Sequence, residues 1–511
     1  MIGVRDVAQV RAAEAAAFAV TPEGALMERA AFALAVACAD VLHGATGGVA
    51  GRRVVVLAGA GSNGGDALWA GSMLARRGVR VDALALAERI HDEGAAALRA
   101  AGGRLHRWSA TDAALRTLVS RGDLAIDGIL GIGGRGGLRP DAAELAEAVG
   151  RSGAIVVAAD LPSGVDADTG AVAGPAVDAD ITVTFGALKP GLVVAPGALR
   201  CGTIRVVDIG LAFTGPPAAR VIESIDVARW VGEPAPDAYK YRRGVVGVAA
   251  GSGRYPGAAL LAVGAARRAN TGMARFLDRG DGVAAAVVTR FPDVVIDGSP
   301  PAAQSRVDAW GCGPGFPGDA ADRPAVMAVL AAPVPVVLDA GALQLAADDR
   351  AIRALIAERT AAGLLTVLTP HGGELDRLRP GLLGASPGRR EAALSAALAL
   401  SCVVVLKGPG TVVAGPEGEC WIDTEGTSDL GTAGSGDVLT GILAAVLAGA
   451  WADGHRVAGD LVEAVAAGVW LHGAAGRDAA RHAPVVAPDL VRSLPAAVGR
   501  ARFGELAGGR S

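Results

Sequence analysis

The chain has 511 residues, 51% apolar and 20% charged, with a net charge of −4, too long for one hydrophobic core and enough for roughly two to four domains. No run of like charge offers nucleic acid a basic face, and no stretch of about twenty continuous apolar residues offers a membrane span. Asp6 and Glu14 interrupt any apolar signal-peptide core.

Cys38, Cys201, Cys312, Cys402 and Cys420 lie far apart without a C-x-x-C pair, which argues against a disulfide framework or zinc site and for a reducing cytoplasm. Nearly all the positive charge is Arg; the only lysines are Lys189, Lys240 and Lys407. A chain that avoids Lys makes each survivor worth inspecting, since the two cations differ in geometry and hydration.

In chain order, the apolar spacing predicts a helix over 23–42 and strands over 54–57 and 79–84 with a helix over 67–77 between them. Strands follow over 124–126, 155–158, 181–185 and 204–207, with a helix over 141–149. Near-continuous apolar strands alternating with helices imply a mostly parallel sheet covered on both faces. Pro-rich stretches at 214–217 and 233–236 bracket a boundary around 213–238. Beyond it, strands over 245–249, 334–338, 364–368 and 403–406 and helices over 256–269 and 438–447 repeat the α/β grammar, and the chain ends in a mildly disordered tail after about Gly499. Asp127, Asp160, Asp208, Asp339, His371 and Lys407 all stand where strands finish, the side on which open parallel sheets bind ligands.

After the strand at 54–57 comes Gly59-Ala60-Gly61-Ser62-Asn63-Gly64-Gly65-Asp66, then a helix. Glycines at this spacing let backbone amides approach a pyrophosphate, and a helix N-terminus favours its charge. With 74 glycines in the chain, about one or two such patterns arise by chance; Gly131-Ile132-Gly133-Gly134-Arg135-Gly136 is a second. Asp127-Gly128-Ile129-Leu130-Gly131 and Asp160-Leu161-Pro162-Ser163-Gly164-Val165-Asp166 end neighbouring strands. Carboxylates and hydroxyls so placed can hold a cation or move protons; singly, each segment is equally an Asx or Ser turn closing a loop.

Together, GAGSNGGD, DGILG and DLPSGVDADTG resemble the NAD(P)H-hydrate epimerases, as do Leu26-Met27-Glu28-Arg29-Ala30-Ala31 and Phe185-Gly186-Ala187-Leu188-Lys189-Pro190-Gly191. The resemblance covers 1–212 and implies a Rossmann-like doubly wound sheet over about 1–215. It implies a potassium ion near Asn63, Asp127 and Ser163, and a hydrated dinucleotide along Ser62, Asn63, Gly64, Gly65 and Asp66 and along Gly131, Ile132, Gly133, Gly134, Arg135, Gly136 and Gly137. Asp160 would lie at the reacting ring, as general acid. Ser62 and Ala67 stand where the family usually has Asn and Gly.

In the C-terminal half, Gly431-Thr432-Ala433-Gly434-Ser435-Gly436-Asp437 runs into an apolar helix. Amides at such a helix start form an anion hole for a terminal phosphate, and Asp437 can take a proton from a hydroxyl as it attacks phosphorus. The plainer alternative is a Gly-rich turn with Asp as a helix N-terminal charge. No lysine is preceded by Gly, so the P-loop pattern is absent. Lys407-Gly408-Pro409-Gly410-Thr411, Gly311-Cys312-Gly313-Pro314-Gly315 and Thr369-Pro370-His371-Gly372-Gly373-Glu374 supply further backbone-rich loops.

With Tyr239-Lys240-Tyr241-Arg242-Arg243-Gly244 and Gly251-Ser252-Gly253, these segments resemble the ribokinase-like superfamily and, within it, the ADP-dependent NAD(P)H-hydrate dehydratases, over about 225–495. The resemblance implies a ribokinase-like α/β domain over about 225–500. Nucleotide contacts would fall at Lys407, Gly408, Pro409, Gly410, Thr411 and Gly436, and hydrate contacts at Ala258, Gly315, His371 and Asp437. Asp339-Ala340-Gly341 stands where the family usually reads Asp-Ala-Asp.

The implied function is bifunctional repair of hydrated NADH and NADPH: epimerisation in the first half and ADP-driven dehydration in the second, with ADP as co-substrate, Mg²⁺ and K⁺. The expected partner is a small molecule, not nucleic acid or membrane, and a homo-oligomer is the expected assembly. Two other readings stay open: an ATP-dependent small-molecule kinase fused to a dinucleotide-binding domain, and a scaffold in which one half only binds nucleotide.

Overall fold

The computed structural model describes residues 1–22, 24–298, 305–481 and 483–504. Contacts between Cα atoms divide the chain into two units: Gly3–Ala218, and the residues from Ala219 onward together with Met1 and Ile2.

In the first unit the strands lie in the order Arg104–Arg107, Arg80–Ala85, Arg53–Ala58, Leu124–Gly128, Ile155–Ala159, Ile181–Phe185, Thr203–Val207, all parallel. The chain starts in the middle at Arg53–Ala58, works outward to Arg104–Arg107, then returns beside its starting strand at Leu124–Gly128. Such a reversal opens a crevice at the carboxyl ends of the two central strands. Val, Ile, Leu and Ala fill the layers on either side of the sheet. The strand at 124–128 runs beyond its expected end, so Asp127 and Gly128 lie inside it. The helix expected from Ala67 begins at Ser62. The motif Ser62–Asp66 is therefore the first turn of a helix rather than a loop ahead of one. The helix expected over 23–42 spans Ala25–Thr46 and stops on left-handed Gly47; Glu23 lies outside the described residues.

The second unit orders its strands as Ala219–Val221, Cys420–Asp423, Thr411–Ala414, Val403–Leu406, Thr366–Leu368, Val336–Leu338, Ala309–Cys312, Val245–Ala249, Met273–Leu277, Val295–Asp297. Thr411–Ala414 runs antiparallel to both of its neighbours, and the other pairs are parallel. The reversal of strand order falls between Val245–Ala249 and Ala309–Cys312. The helix expected over 438–447 extends over Ser435–Ala452 and crosses the helix Pro256–Ala266 so closely that a Cβ at Gly441 would meet the Ala262 carbonyl.

Two expectations need correcting. Among the described residues Ser435–Ala452 is long and apolar enough to cross a membrane by length and composition, although most of it is buried inside the protein; its Ser and Asp sit in the first turn, which hid its extent. The tail expected after Gly499 continues instead as helix Ala487–Phe503, which buries Leu490, Leu494, Ala497 and Ala501 at i, i+4, i+7 and i+11; residues 505–511 lie outside the described part.

Candidate active sites

In the first unit a cavity of about 800 Å³ opens at the crevice, lined among others by Arg11, Glu14, Asn63, Asp66, Asp160 and Lys189. Its back wall is made by close backbone approach. A Cβ at Gly59 would meet the Ile129 carbonyl, and one at Gly64 the Gly59 carbonyl, so only glycine lets the turn, the helix start and the neighbouring strand end meet. Gly65 is likewise pressed on the His91 ring.

Asp160 ends its strand in the left-handed region, at φ 64°, a conformation that costs a non-glycine residue about 1–3 kcal/mol. What holds it is a set of donors converging on one oxygen: Lys189 Nζ donates to Oδ1 at 2.5 Å, Thr184 Oγ1 at 3.1 Å and the Phe185 amide at 3.3 Å. Lys189, only 1% exposed, also donates to Thr184 Oγ1 and the Phe185 carbonyl. Its ammonium is thus saturated by acceptors. The structure does not route Lys189 toward solvent; it is the buried counter-charge of Asp160.

Asp66 differs. It is 8% exposed, and its Oδ1 is buried with no hydrogen-bond partner. Burial first, then the charges of Asp160 and Glu14, push its carboxyl well above the usual carboxylate range. Glu14, on the helix Val7–Phe18, is also raised, by burial and by Asp160, against the pull of Lys189 and Arg11.

Beside them Asp127 is fully buried. Ser163 Oγ donates to its Oδ1 at 2.7 Å, the Ser163 amide to its Oδ2 at 2.8 Å and the Ile129 amide to Oδ1 at 3.2 Å. Burial outweighs these bonds and lifts the carboxyl to about 6. Asn63 Nδ2 donates to the Leu130 carbonyl at 2.9 Å, and the Leu130 amide donates to Ser163 Oγ at 2.8 Å. Asn63, Asp127, Ser163 and the Leu130 backbone are therefore one connected group.

The structure brings Ser62, Asn63, Asp66, Gly131, Ile132, Gly133, Gly134 and Asp160 to the cavity wall. It uses Gly64 and Gly65 for packing, leaves Arg135 and Gly136 exposed, and sets Gly137 against Gly174. None of those five is on the cavity wall.

In the second unit the candidate residues gather around Asp339, 2% exposed at the end of Val336–Leu338. Lys407 Nζ donates to its Oδ1 at 2.8 Å and Thr369 Oγ1 to the same atom at 2.8 Å, while Thr440 Oγ1 donates to Oδ2 at 3.0 Å. Glu374 lies 3.6 Å from the same ammonium. Burial alone would lower the Lys407 ammonium; the charges of Asp339 and Glu374 outweigh it and raise it.

Gly436, in the first turn of Ser435–Ala452, faces this pair: a Cβ there would lie 3.5 Å from Asp339 Oδ2 and from Lys407 Nζ. Asp437 follows it. Burial, then the charge of Asp339, raises its carboxyl to about 6 against the pull of Lys407. The helix N-terminus, an ammonium and a half-buried carboxyl so share one corner, as an anion site with a proton acceptor requires. Ala258 and Gly315 face each other in van der Waals range, since a Cβ at Gly315 would crowd Ala258 Cβ at 2.6 Å. Ser252 Oγ ties the Gly315 carbonyl at 2.8 Å.

Lys407–Thr411 forms the turn between antiparallel strands Val403–Leu406 and Thr411–Ala414, closed by Thr411 Oγ1 donating to the Gly408 carbonyl at 2.9 Å. His371 caps the helix Gly372–Leu378: its Nδ1 accepts from the Gly373 and Glu374 amides at 3.0 and 3.3 Å. That nitrogen has a structural task, and Nε2 lies 3.6 Å from Glu374 Oε2.

At Gly341 a Cβ would meet the Phe316 carbonyl and lie 2.7 Å from Phe316 Cβ and 2.8 Å from Gly318 N. The 316–318 backbone occupies the space a side chain would need, so the departure from Asp-Ala-Asp goes with a closer loop rather than an opening. Ala340 before it is held at φ 47°.

Sequence reasoning missed Glu14, Thr440 and His472. His472 is buried, with its Nε2 3.0 Å from Ser435 Oγ and 3.0 Å from the Ser435 carbonyl, and burial lowers it to about 4. None of the three lies in a glycine-rich segment or at a strand end, so no local signal marks them.

Comparison with known proteins supplies the rest. Residues 246–495 match the family model described as NAD(P)H-hydrate dehydratase, and residues 23–191 the model described as YjeF-related protein N-terminus. The bifunctional NAD(P)H-hydrate repair enzyme of Mycobacterium tuberculosis is 45% identical over 453 residues, covering 88% of this chain and 90% of the relative. That of Mycobacterium leprae is 42% identical over 448 residues, covering 87% and 88%. A solved structure of ADP/ATP-dependent NAD(P)H-hydrate dehydratase from Bacillus subtilis, co-crystallised with ATP and Mg²⁺, is 30% identical, covers 56% of this chain and 99% of that one, and has a TM-score of 0.46. The chain belongs to the family of bifunctional NAD(P)H-hydrate repair enzymes.

Proposed function

We propose that the domain over about 1–215 interconverts the R and S epimers of hydrated NADH and NADPH in the cavity around Asp66 and Asp160, and that the domain over about 225–500 dehydrates the S epimer at the corner formed by Gly436, Asp437 and Lys407. The observation that carries the second assignment is the placement of Asp437. It sits in the first turn of an amide-presenting helix, beside the Lys407–Asp339 pair, with a carboxyl at about 6. Such a carboxylate is ionised at neutral pH yet basic enough to take a proton.

In the damaged coenzyme a hydroxyl sits on the ring carbon beside the nitrogen. Asp437 accepts the hydroxyl proton as that oxygen attacks the terminal phosphorus of ADP, and AMP leaves. The nitrogen lone pair then expels inorganic phosphate, a far better leaving group than hydroxide, the neighbouring ring carbon gives up a proton to the departing phosphate, and the dihydropyridine double bond is restored. Lys407 and the helix amides hold the transferring phosphoryl group, with Lys407–Thr411 and Gly436 on the nucleotide and Ala258, Gly315, His371 Nε2 and Asp437 on the hydrate.

Among the described residues no cluster of three His, Cys, Asp or Glu side chains could cage a metal ion; a Mg²⁺ ion carried on nucleotide phosphates needs none. Bound there, it would neutralise phosphoryl charge. In the first domain the donor set fits an alkali cation: Asn63, Asp127, Ser163 and the Leu130 carbonyl offer hard oxygens, and the donors to the fully buried Asp127, Ser163 Oγ and the Ser163 and Ile129 amides, are all neutral. A potassium ion would supply the missing positive charge and fix the substrate's diphosphate along the Ser62 helix start.

The test is recovery of NAD(P)H absorbance from a mixture of both epimers, with ADP, with ATP and with neither, in wild type and Asp437→Ala. Full recovery with ADP, lost by about 10²-fold or more in the variant while nucleotide binding persists, is the expected result. Recovery that stalls at one epimer would remove the epimerase. A stable phosphorylated product would favour a small-molecule kinase.

A further inference from the structure

The proposed epimerase site holds two aspartates in one cavity, and their surroundings assign them different tasks. Loss of the ring hydroxyl needs a proton on the departing oxygen, and it leaves a cation shared between the ring carbon and nitrogen. One group must give a proton; another must face a positive charge. The two demands call for a neutral acid and an anion.

Asp160 has the surroundings of the anion. Three donors converge on Oδ1, one of them a buried ammonium at 2.5 Å. A carboxylic acid with its proton on that oxygen could not receive them. Oδ2 takes part in none of these bonds, so the carboxylate's second oxygen is available to the cavity that Asp160 lines. Lys189 is sealed behind it at 1% exposure.

Asp66 has the surroundings of the acid. Its Oδ1 is buried, it has no hydrogen-bond partner, and the residue lines the same cavity at 8% exposure. An ionised carboxylate oxygen left bare in a buried site carries a heavy desolvation cost, whereas a neutral carboxyl carries little. The charged and titratable groups that line the cavity with it are Arg11 and Glu14 on the first helix, His91 and Glu93 beyond the next strand, and Asp160 with Lys189 across the sheet edge. Asp160 and Glu14 both disfavour its ionisation.

We infer that Asp66, rather than Asp160, protonates the departing hydroxyl, and that Asp160 stays charged against Lys189 and stabilises the ring cation. This rests on the epimerase reading above and divides its labour. The proton of Asp66 goes to the hydroxyl oxygen, the carbon–oxygen bond breaks, the nitrogen lone pair forms the carbon–nitrogen double bond, and water departs. Asp66 is left as a carboxylate beside the cation it has made. Water then adds to either face of the ring carbon, its proton returns to Asp66, and the electron pair returns to nitrogen. Nothing is oxidised or reduced, and no nucleotide is consumed.

The experiment follows interconversion of one purified hydrate epimer by the full-length protein without nucleotide, from about pH 5 to about pH 9. Wild type is expected to slow as pH rises past the ordinary carboxylate range, because the acid form of Asp66 is lost. Asp66→Asn should run about 10²-fold slower or worse and lose that falling limb. Asp160→Asn should also be slow but keep a limb, moved to lower pH because the Asp160 charge too disfavours ionisation of Asp66. Glu14→Gln, which removes a neighbouring negative charge, should move the limb to lower pH, and decides the matter should Asp66→Asn fail to fold. An Asp66→Asn protein with wild-type rate and limb, a limb lost in Asp160→Asn instead, or a limb unmoved in Glu14→Gln would each overturn the inference. A wild-type chain no faster than buffer would overturn the epimerase reading itself, a separately visible result.

Discussion

In each half one lysine pairs with an aspartate that ends a parallel strand and leaves a second aspartate, on a neighbouring helix, without a cation. Lys189 binds Asp160 and leaves Asp66; Lys407 binds Asp339 and leaves Asp437. The unpaired carboxyl is raised by burial and by the charge of its paired neighbour in both halves. The difference lies in depth. Asp66 is buried with an unbonded oxygen, whereas Asp437 is half-buried at an open helix start and rises only to about 6. The same three groups thus suit an acid where the free carboxyl is buried and a base where it is half-buried, which is how one kind of side chain serves opposite proton transfers at one pH.

The largest way to break this parallel is to remove each lysine. Lys189→Met leaves Asp160 in a sealed site without its cation, a change that costs about 3–5 kcal/mol for a buried pair. Lys407→Met leaves Asp339 with the hydroxyls of Thr369 and Thr440, in a place where the lysine side chain is 21% exposed. Urea unfolding of both variants is expected to show a smaller loss for Lys407→Met and a larger loss in its dehydration rate. Equal stability losses would mean that sealing does not distinguish the two pairs.

Much of this arrangement was legible. The central strands of the first unit read directly, because they are unbroken runs of Val, Ile, Leu and Ala buried on both faces. The edge strand Arg104–Arg107 did not, since Arg-Leu-His-Arg is half-exposed and polar. Met273–Leu277 was hidden by Arg275, whose charge is met by Asp297 at 2.6 Å on the neighbouring strand. The 23-residue helix Ala458–Ala480 is buried on nearly every side and rich in Ala and Gly, so it carries no apolar stripe to find. Of the site residues, the rarity of lysine pointed to Lys189 and Lys407, and strand ends pointed to Asp160 and Asp339. Glu14 and His472 come from Ala-rich helices, and only packing brings them to the sites.

Backbone approach gives a second contrast, of intermediate size. Gly341→Ala would drive a methyl into the Phe316 carbonyl, whereas Gly253→Ala, on the loop after Val245–Ala249, meets nothing within 4 Å. Overpacking of this kind costs about 1–3 kcal/mol, and denaturant midpoints of the two variants should separate by that amount. Coincident midpoints would mean that the 316–318 loop yields freely, and Gly341 would then mark an open pocket.

The smallest effect is also the sharpest, because both halves report in one chain. Asp437 works as a base and must be ionised. Its carboxyl titrates at about 6 in the free protein, so kcat/KM for dehydration should fall as pH drops through that value, by about tenfold for each unit below it. Asp66 works as an acid, so epimerisation should fall in the other direction, as pH rises. Lys407 pulls Asp437 down; replacing it by Met should therefore shift the dehydration limb to higher pH and leave the epimerisation limb in place. Stopped assays on one preparation measure both slopes. Two limbs of the same sign would show that the paired and unpaired carboxyls do not divide acid from base as their surroundings require, and would return the acid role in the first half to the lysine-bound Asp160.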